Sequence, residues 1–267
     1  MAERVDLGLP IEGPLDLDFR IAGDTQALEL NRIELTAGDG AGELLKAGGK
    51  IHFREWEQED PLKALDLALE LRSDTEILEV WSTQEMPPLD YTATARLHTV
   101  SGQHRIDDFR LESRPGAPLQ VRETGYAERV LFLPEFAIQG ISLDSHVSTG
   151  DVATLNTHFG LDNRIPSIGP LDMRAKVTGS NTKLLIDDVR LTAGQADVLN
   201  LEASGRLGYI SAEKKWRLEN TDLVLTGRST SSRSLAAALG YRIPEPGALQ
   251  MRASVSDMGG TLGIHDS

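Results

Sequence analysis

The stretch Gly169-Pro170-Leu171-Asp172-Met173-Arg174-Ala175-Lys176-Val177 alternates apolar and polar residues without a break. Across a turn it is followed by Leu184-Leu185-Ile186-Asp187-Asp188-Val189-Arg190-Leu191. Strict period two over this length is the signature of a strand with one wet and one apolar face. Three other segments read the same way after a Pro or Gly: Leu15-Leu17-Phe19-Ile21, Leu89-Tyr91-Ala93-Ala95-Leu97 and Leu249-Met251-Ala253-Val255. A pattern that returns at a fixed interval points to a repeat architecture.

The second pattern returns as well. Leu28–Leu35, Arg105–Leu111 and Leu184–Leu191 each carry a polar pair (Asn31-Arg32, Asp107-Asp108, Asp187-Asp188) that shifts the apolar phase by one. Such a shift reads as a β-bulge or a strand corner. Alignment on Leu30, Ile106, Ile186 and Ile264 gives spacings of 76, 80 and 78 residues. A third strand is marked by Gly49, Gly125 and Gly205, again 76 and 80 residues apart. A fourth alternating stretch closes each unit: Leu65-Leu67-Leu69-Leu71, Ile138-Ile141-Leu143 and Leu223-Leu225.

Short helical links are expected between units. Thr149 or Asp151 would cap Val152–Phe159, and Ser232 or Ser234 would cap Leu235–Leu239, which Gly240 stops. A third link is expected over Thr75–Trp81. The expected fold is therefore mainly β, an elongated and curved antiparallel sheet. Its units of about 78 residues have four strands and a linker helix. Repeat 1 covers residues 1–81, repeat 2 82–160 and repeat 3 161–240, with a truncated repeat 4 at 241–267 and no independent domains. Met1–Pro10 reads as the tail of a linker, and Gly263–Asp266 ends inside a strand pattern. The chain thus reads as a piece cut from a longer array, which leaves open whether Met1 is a true start.

Composition narrows the chemistry. The 267 residues carry a net charge of −14, no cysteine, and 5 % aromatic residues. Without cysteine there is no disulfide, thiolate nucleophile or iron–sulfur cluster. The acidic balance argues against nucleic acid, whose phosphates are met by Lys and Arg. No segment has the basic and apolar regions of a signal peptide, and no apolar run is long enough to span a membrane.

Catalytic patterns are wanting too. His52, His98, His104, His146, His158 and His265 are scattered without metal-ligand spacing and are expected on the polar strand face or in loops. The Asp107-Asp108 and Asp187-Asp188 pairs recur at the strand irregularity, where Asn31-Arg32 replaces them in the first copy, so a structural corner is favoured over a calcium site. Ser142, Asp144, Ser145 and His146 lack the Gly-x-Ser-x-Gly elbow of a serine hydrolase. The run Thr178–Lys183 lacks the order of a phosphate loop and falls where a hairpin turn is expected. The chain reads as a non-enzyme that needs no cofactor or metal.

The marker set Phe159-Gly160, Ile165-Pro166, Gly169-Pro170-Leu171, Ile186-Asp187-Asp188-Val189 and Gly205-Arg206-Leu207 resembles the AsmA-like repeat family, which includes AsmA, YhdP and TamB-type bridge-like lipid transfer proteins. The resemblance covers essentially the whole chain and is best in its second half. It implies a periplasmic segment of a parent protein anchored in the inner membrane of a Gram-negative bacterium. It also implies a curved sheet whose concave hydrophobic groove passes phospholipids between the inner and outer membranes and supports outer-membrane assembly. The implied partners are phospholipid acyl chains and neighbouring repeats of the parent, with membrane contact made by segments this chain lacks.

Such a groove needs no motif. Burial of each methylene is worth roughly 0.8 kcal/mol, so a chain of about sixteen carbons gains about 10 kcal/mol gross. The expected lining is the inward set Leu17, Phe19, Leu67, Leu69, Tyr91, Met173, Val177, Leu201, Leu223, Leu225 and Met251. Period two alone fits equally well a closed sandwich in which these side chains pack on each other. A ligand-free structural or adhesive spacer of the cell envelope, and an acidic β-rich hydrolase with a carboxylate pair, are the competing functions.

Overall fold

The computed structural model describes residues 14–24, 27–38, 44–53, 62–73, 90–132, 136–158, 165–195, 197–211, 217–238, 247–257 and 262–266. Its strands are β1 (Leu15–Gly23), β2 (Leu28–Ala37), β3 (Leu44–Phe53), β4 (Leu62–Ser73), β5 (Tyr91–Val100), β6 (Gln103–Ser113), β7 (Leu119–Leu131) and β8 (Ala137–Thr149). They continue with β9 (Leu171–Ser180), β10 (Lys183–Gln195), β11 (Leu199–Arg206), β12 (Gly208–Ser211), β13 (Arg217–Glu219), β14 (Asp222–Ser229), β15 (Leu249–Asp257) and β16 (Leu262–Asp266). All belong to one antiparallel sheet in which each strand pairs with its sequence neighbours from β1 to β11, then β14, β15 and β16. The ladder runs from β1 to β16 without closing on itself.

Among the described residues no second hydrogen-bonded sheet is present to cover this one. The accessible surface points the same way: 17318 Å² for 29.1 kDa, against about 11,000 Å² for a compact monomer of this mass. No large side chain among the described residues is fully buried. The sheet is elongated and open.

The periodic markers have a local physical cause. Arg32, Asp108 and Asp188, the second members of the polar pairs, all adopt left-handed backbone, with φ of 52°, 52° and 48°. Strand register shifts at each, between Leu30 and Ile33, Ile106 and Phe109, and Asp187 and Arg190. These are bulges, which explains the one-residue change of apolar phase. Just beyond each, Ile33, Phe109 and Val189 stand opposite Gly49, Gly125 and Gly205. A Cβ on Gly125 would lie 2.0 Å from the Ser142 carbonyl oxygen, and one on Gly205 2.3 Å from that of Asp222. Bulge and glycine thus form one unit, repeated three times.

The third copy is more broken than the others. Its third strand is interrupted at Leu207 into β11 and β12, and its fourth at Asn220-Thr221 into β13 and β14. Gly208 and Asn220 take φ of 104° and 63° there, and Thr221 Oγ1 donates to the Leu207 carbonyl at 2.8 Å. With those interruptions counted, four strands per unit are present in all three copies.

The links lie along one rim. Helix α1 (Thr154–His158) follows a turn at Val152-Ala153, and Asp151 caps the link as expected: its Oδ1 accepts from Ala153 N–H at 3.0 Å. Helix α2 (Ser232–Ala238) is capped one residue before the expected Ser232 or Ser234: Ser231 Oγ accepts from Ser234 N–H at 3.3 Å. Ser231 is fixed for that role by its own N–H donating to the buried Ser229 Oγ. The backbone N–H groups of Val152 and Ser232 donate to Gly169 and Gly247 carbonyls, both at 2.8 Å, so both links dock alike. The expected Thr75–Trp81 link lies outside the described residues.

Candidate functional site

The candidate site is a whole face of the sheet. In an antiparallel ladder, directly opposed residues point to the same side. Leu17 opposes Leu35, then Ala47, then Leu69. Leu67 opposes Leu97, Ile106, Ala127 and Ile141 in turn. Met173 continues to Leu191, Ala203 and Leu225, and Leu201 to Gly227 and Met251. Alternation carries Phe19, Tyr91, Val177 and Leu223 to the same side. All eleven expected lining residues therefore share one face.

Their accessibility is not uniform. Leu17, Phe19 and Met251 are 45 %, 39 % and 47 % exposed, whereas Tyr91 and Val177 are buried and the other six are partly buried. Two regions are denser. Leu65, Leu97 and Val130 form one cluster, joined by Ile51, Leu62, Leu69 and Ile106. Val152 and Ile168 from the link fold over Leu171, Ala193 and Leu199 at the rim to form the other. Neither cluster includes a second sheet.

The opposite face is ionic. Arg96 donates to both carboxylate oxygens of Asp66, at 2.9 and 3.1 Å. Asp107 meets His98 at 2.5 Å and Arg105 at 2.6 Å, while Arg206 reaches Asp187 at 3.3 Å. The Arg96 hydrogen bond holds the Asp66 carboxyl below its ordinary range. Desolvation alone would raise Asp107, but the bonds from His98 and Arg105 bring it below its usual value. Hydrogen bonds from Arg206 and the Asp188 backbone lower Asp187. Such part-exposed pairs contribute little stability each and keep this side wet.

Several chemical readings are decided by placement. His52, His98 and His146 do lie on the polar face, paired with Glu29, Asp107 and Asp172. His104 does not: it is buried on the apolar side, Nδ1 2.8 Å from Thr99 Oγ1 and its ring 5.6 Å from that of Phe132. It takes that position because β6 places it opposite Val130, in the same row as Thr99. The side chains of His158 and His265 lie outside the described set. On β8 Ser145 points to the apolar side and Asp144 and His146 to the other, and His146 is bonded to Asp172 at 2.6 Å. Thr178–Lys183 is the β9–β10 hairpin. Among the described residues no cluster of metal-ligating side chains occurs, and no helix is long and apolar enough to cross a membrane.

One charged residue was missed. Glu123 on β7 faces the apolar side between Leu111 and Ser145. Ser145 Oγ donates to its Oε1 at 3.4 Å, and desolvation raises its carboxyl above the ordinary range more than that bond lowers it. The signal was the alternation Val121-Glu123-Gly125-Ala127, in which one apolar slot is filled by an acid.

Comparison with protein-family models, curated proteins and solved structures returns no significant match.

Proposed function

We propose that this chain is a segment of an AsmA-like bridge whose apolar face forms a groove that carries phospholipid acyl chains through the periplasm towards the outer membrane. The observation that supports the reading best is the apolar face itself. It runs across the ladder from Leu17 to Met251 with no second sheet on it among the described residues. Hydrophobic area of that extent left on a soluble sheet calls for a ligand. The repeated bulge-and-glycine unit supports curvature, because bulges bend strands and increase twist at the same place in every repeat. Leu and Met dominate the lining, and their flexible side chains suit a fluid hydrocarbon. The reaction class is transport without catalysis, and the trafficking role belongs to a parent protein anchored in the inner membrane.

The test is direct. The purified, folded chain is extracted with organic solvent and the extract is analysed by mass spectrometry. Phospholipid in stoichiometric amount is expected, and a lipid-free extract from a folded sample would count against the groove. Leu67→Glu or Met173→Glu should abolish the recovered lipid with an unchanged circular dichroism spectrum. Global unfolding of both variants would favour an interior role for these side chains and a ligand-free spacer.

A further inference from the structure

Equivalent positions of the three repeats form equivalent rows across the apolar face. In the first, Leu35, Ala47, Leu69 and Ala95 oppose one another. In the third, the row is Leu191, Ala203, Leu225 and Ala253. The middle repeat keeps the flanking Leu111 and Ala175 but holds Glu123 and Ser145 where the others hold Ala and Leu. Both members of the pair differ together, and each sits two residues before the repeat marker on its strand or its partner's. Between β2 and β14, no other described Asp or Glu takes an apolar-side position within the ladder.

Among the described residues the carboxyl has one hydroxyl as its hydrogen-bond partner. From β6 the same side presents Phe109, Leu111 and Ser113, and from β8 Leu143, Ser145 and Val147. The charged neighbours Arg110, Glu112, Arg122, Asp144 and His146 alternate to the wet face. His104 shares the apolar side but lies seven residues along β6 from Leu111, roughly 20 Å away. Among the described residues no cation faces Glu123, and a single neutral donor is a weak partner for a part-buried carboxylate.

We infer that Glu123 with Ser145 is a proton-linked point in the groove: hydrocarbon covers it only when the carboxyl is protonated, so loading of an acyl chain past the middle repeat takes up one proton. The inference rests on the groove reading given above. Protonation makes Glu123 a donor and acceptor that Ser145 can satisfy without net charge, so the row becomes coverable. Ionisation returns a charge to the trough and repels hydrocarbon. A ligand that removes the remaining water raises the carboxyl further, and by linkage its own affinity falls as pH rises through that range.

The probe is phosphatidylcholine with one pyrene-labelled acyl chain, whose headgroup does not titrate near neutrality. Its affinity for the wild-type chain is expected to fall about tenfold or more between about pH 5 and about pH 8. Glu123→Gln should bind with nearly constant affinity over that range, close to the wild-type acidic value. Binding that is flat with pH in the wild type, or a slope that persists in Glu123→Gln, overturns this inference and leaves the groove standing. Absence of binding at any pH in both proteins overturns the groove and this inference with it. A carbon-detected NMR titration of Glu123 in the wild-type chain removes dependence on the variant's folding. Its pKa should rise when the probe is bound, and an unchanged value contradicts the coupling.

Discussion

The middle and third repeats share a backbone device and differ in what they set beside it. Gly125 and Gly205 face the same kind of close approach, each with a carbonyl of the following strand where a Cβ would stand. Two residues earlier, the middle repeat has Glu123 opposite Ser145, and the third has Ala203 opposite Leu225. The difference separates two kinds of position on one face. Those set by the backbone are the same in every repeat, because strand spacing allows nothing else. Those set by the character of the apolar face are free to differ, and one of them carries a carboxyl.

The largest effect should come from the shared device. Gly125→Ala and Gly205→Ala should each lose about 2–4 kcal/mol in denaturant unfolding, because the new methyl meets backbone that cannot yield cheaply. Gly150→Ala, with open space around it, should stay within about 0.5 kcal/mol. If the three substitutions behaved alike, the bulge-and-glycine unit would be decorative.

A smaller effect tests the difference. Ala203→Glu would place in the third repeat the acid of the middle one, but opposite Leu225 and without a serine. It should cost about 1–3 kcal/mol at neutral pH and less in acid. Adding Leu225→Ser should recover part of that loss. Equal stability at every pH would mean that the face is wetter than its lining suggests.

The smallest effect is the pH dependence of stability itself, and the two faces should oppose each other. Asp66, Asp107 and Asp187 are lowered in the folded chain. Their contribution is present above the unfolded carboxyl range and is lost as pH falls through their folded values. Glu123 is raised, so its contribution is present below the unfolded value and is lost as pH rises through the folded one. Glu123→Gln should flatten the loss on the neutral side, and Asp107→Asn the loss on the acid side, in thermal melts across pH. The same slope in both variants would assign the dependence to other groups.

Much of this architecture is legible in the sequence, and for a plain reason. Period two, the phase shift at Asp107-Asp108 and the glycine of each third strand are all imposed by backbone geometry, which writes itself into sequence. The shared face of the eleven apolar positions follows from the same alternation. What could not be read depends on neighbours remote in sequence. His104 looks polar and lies buried because Val130 and Thr99 share its row. Glu123 fills an apolar slot of the alternation, but only register sets it between Leu111 and Ser145. The closed sandwich, equally compatible with period two, is set aside by a single ladder whose surface is too large, and whose interior is too thin, for a closed core.

The central claim, that one face of this sheet carries hydrocarbon, is tested most directly by site-specific photocrosslinking. A photoreactive phenylalanine analogue is placed at Leu69 or Met173 on the apolar face and at Glu70 or Arg174 on the ionic one. Lipid adducts are identified by mass spectrometry after illumination in cells. Adducts at Leu69 and Met173 and none at Glu70 and Arg174 are the predicted result. Adducts on both faces alike, or on neither, would contradict it.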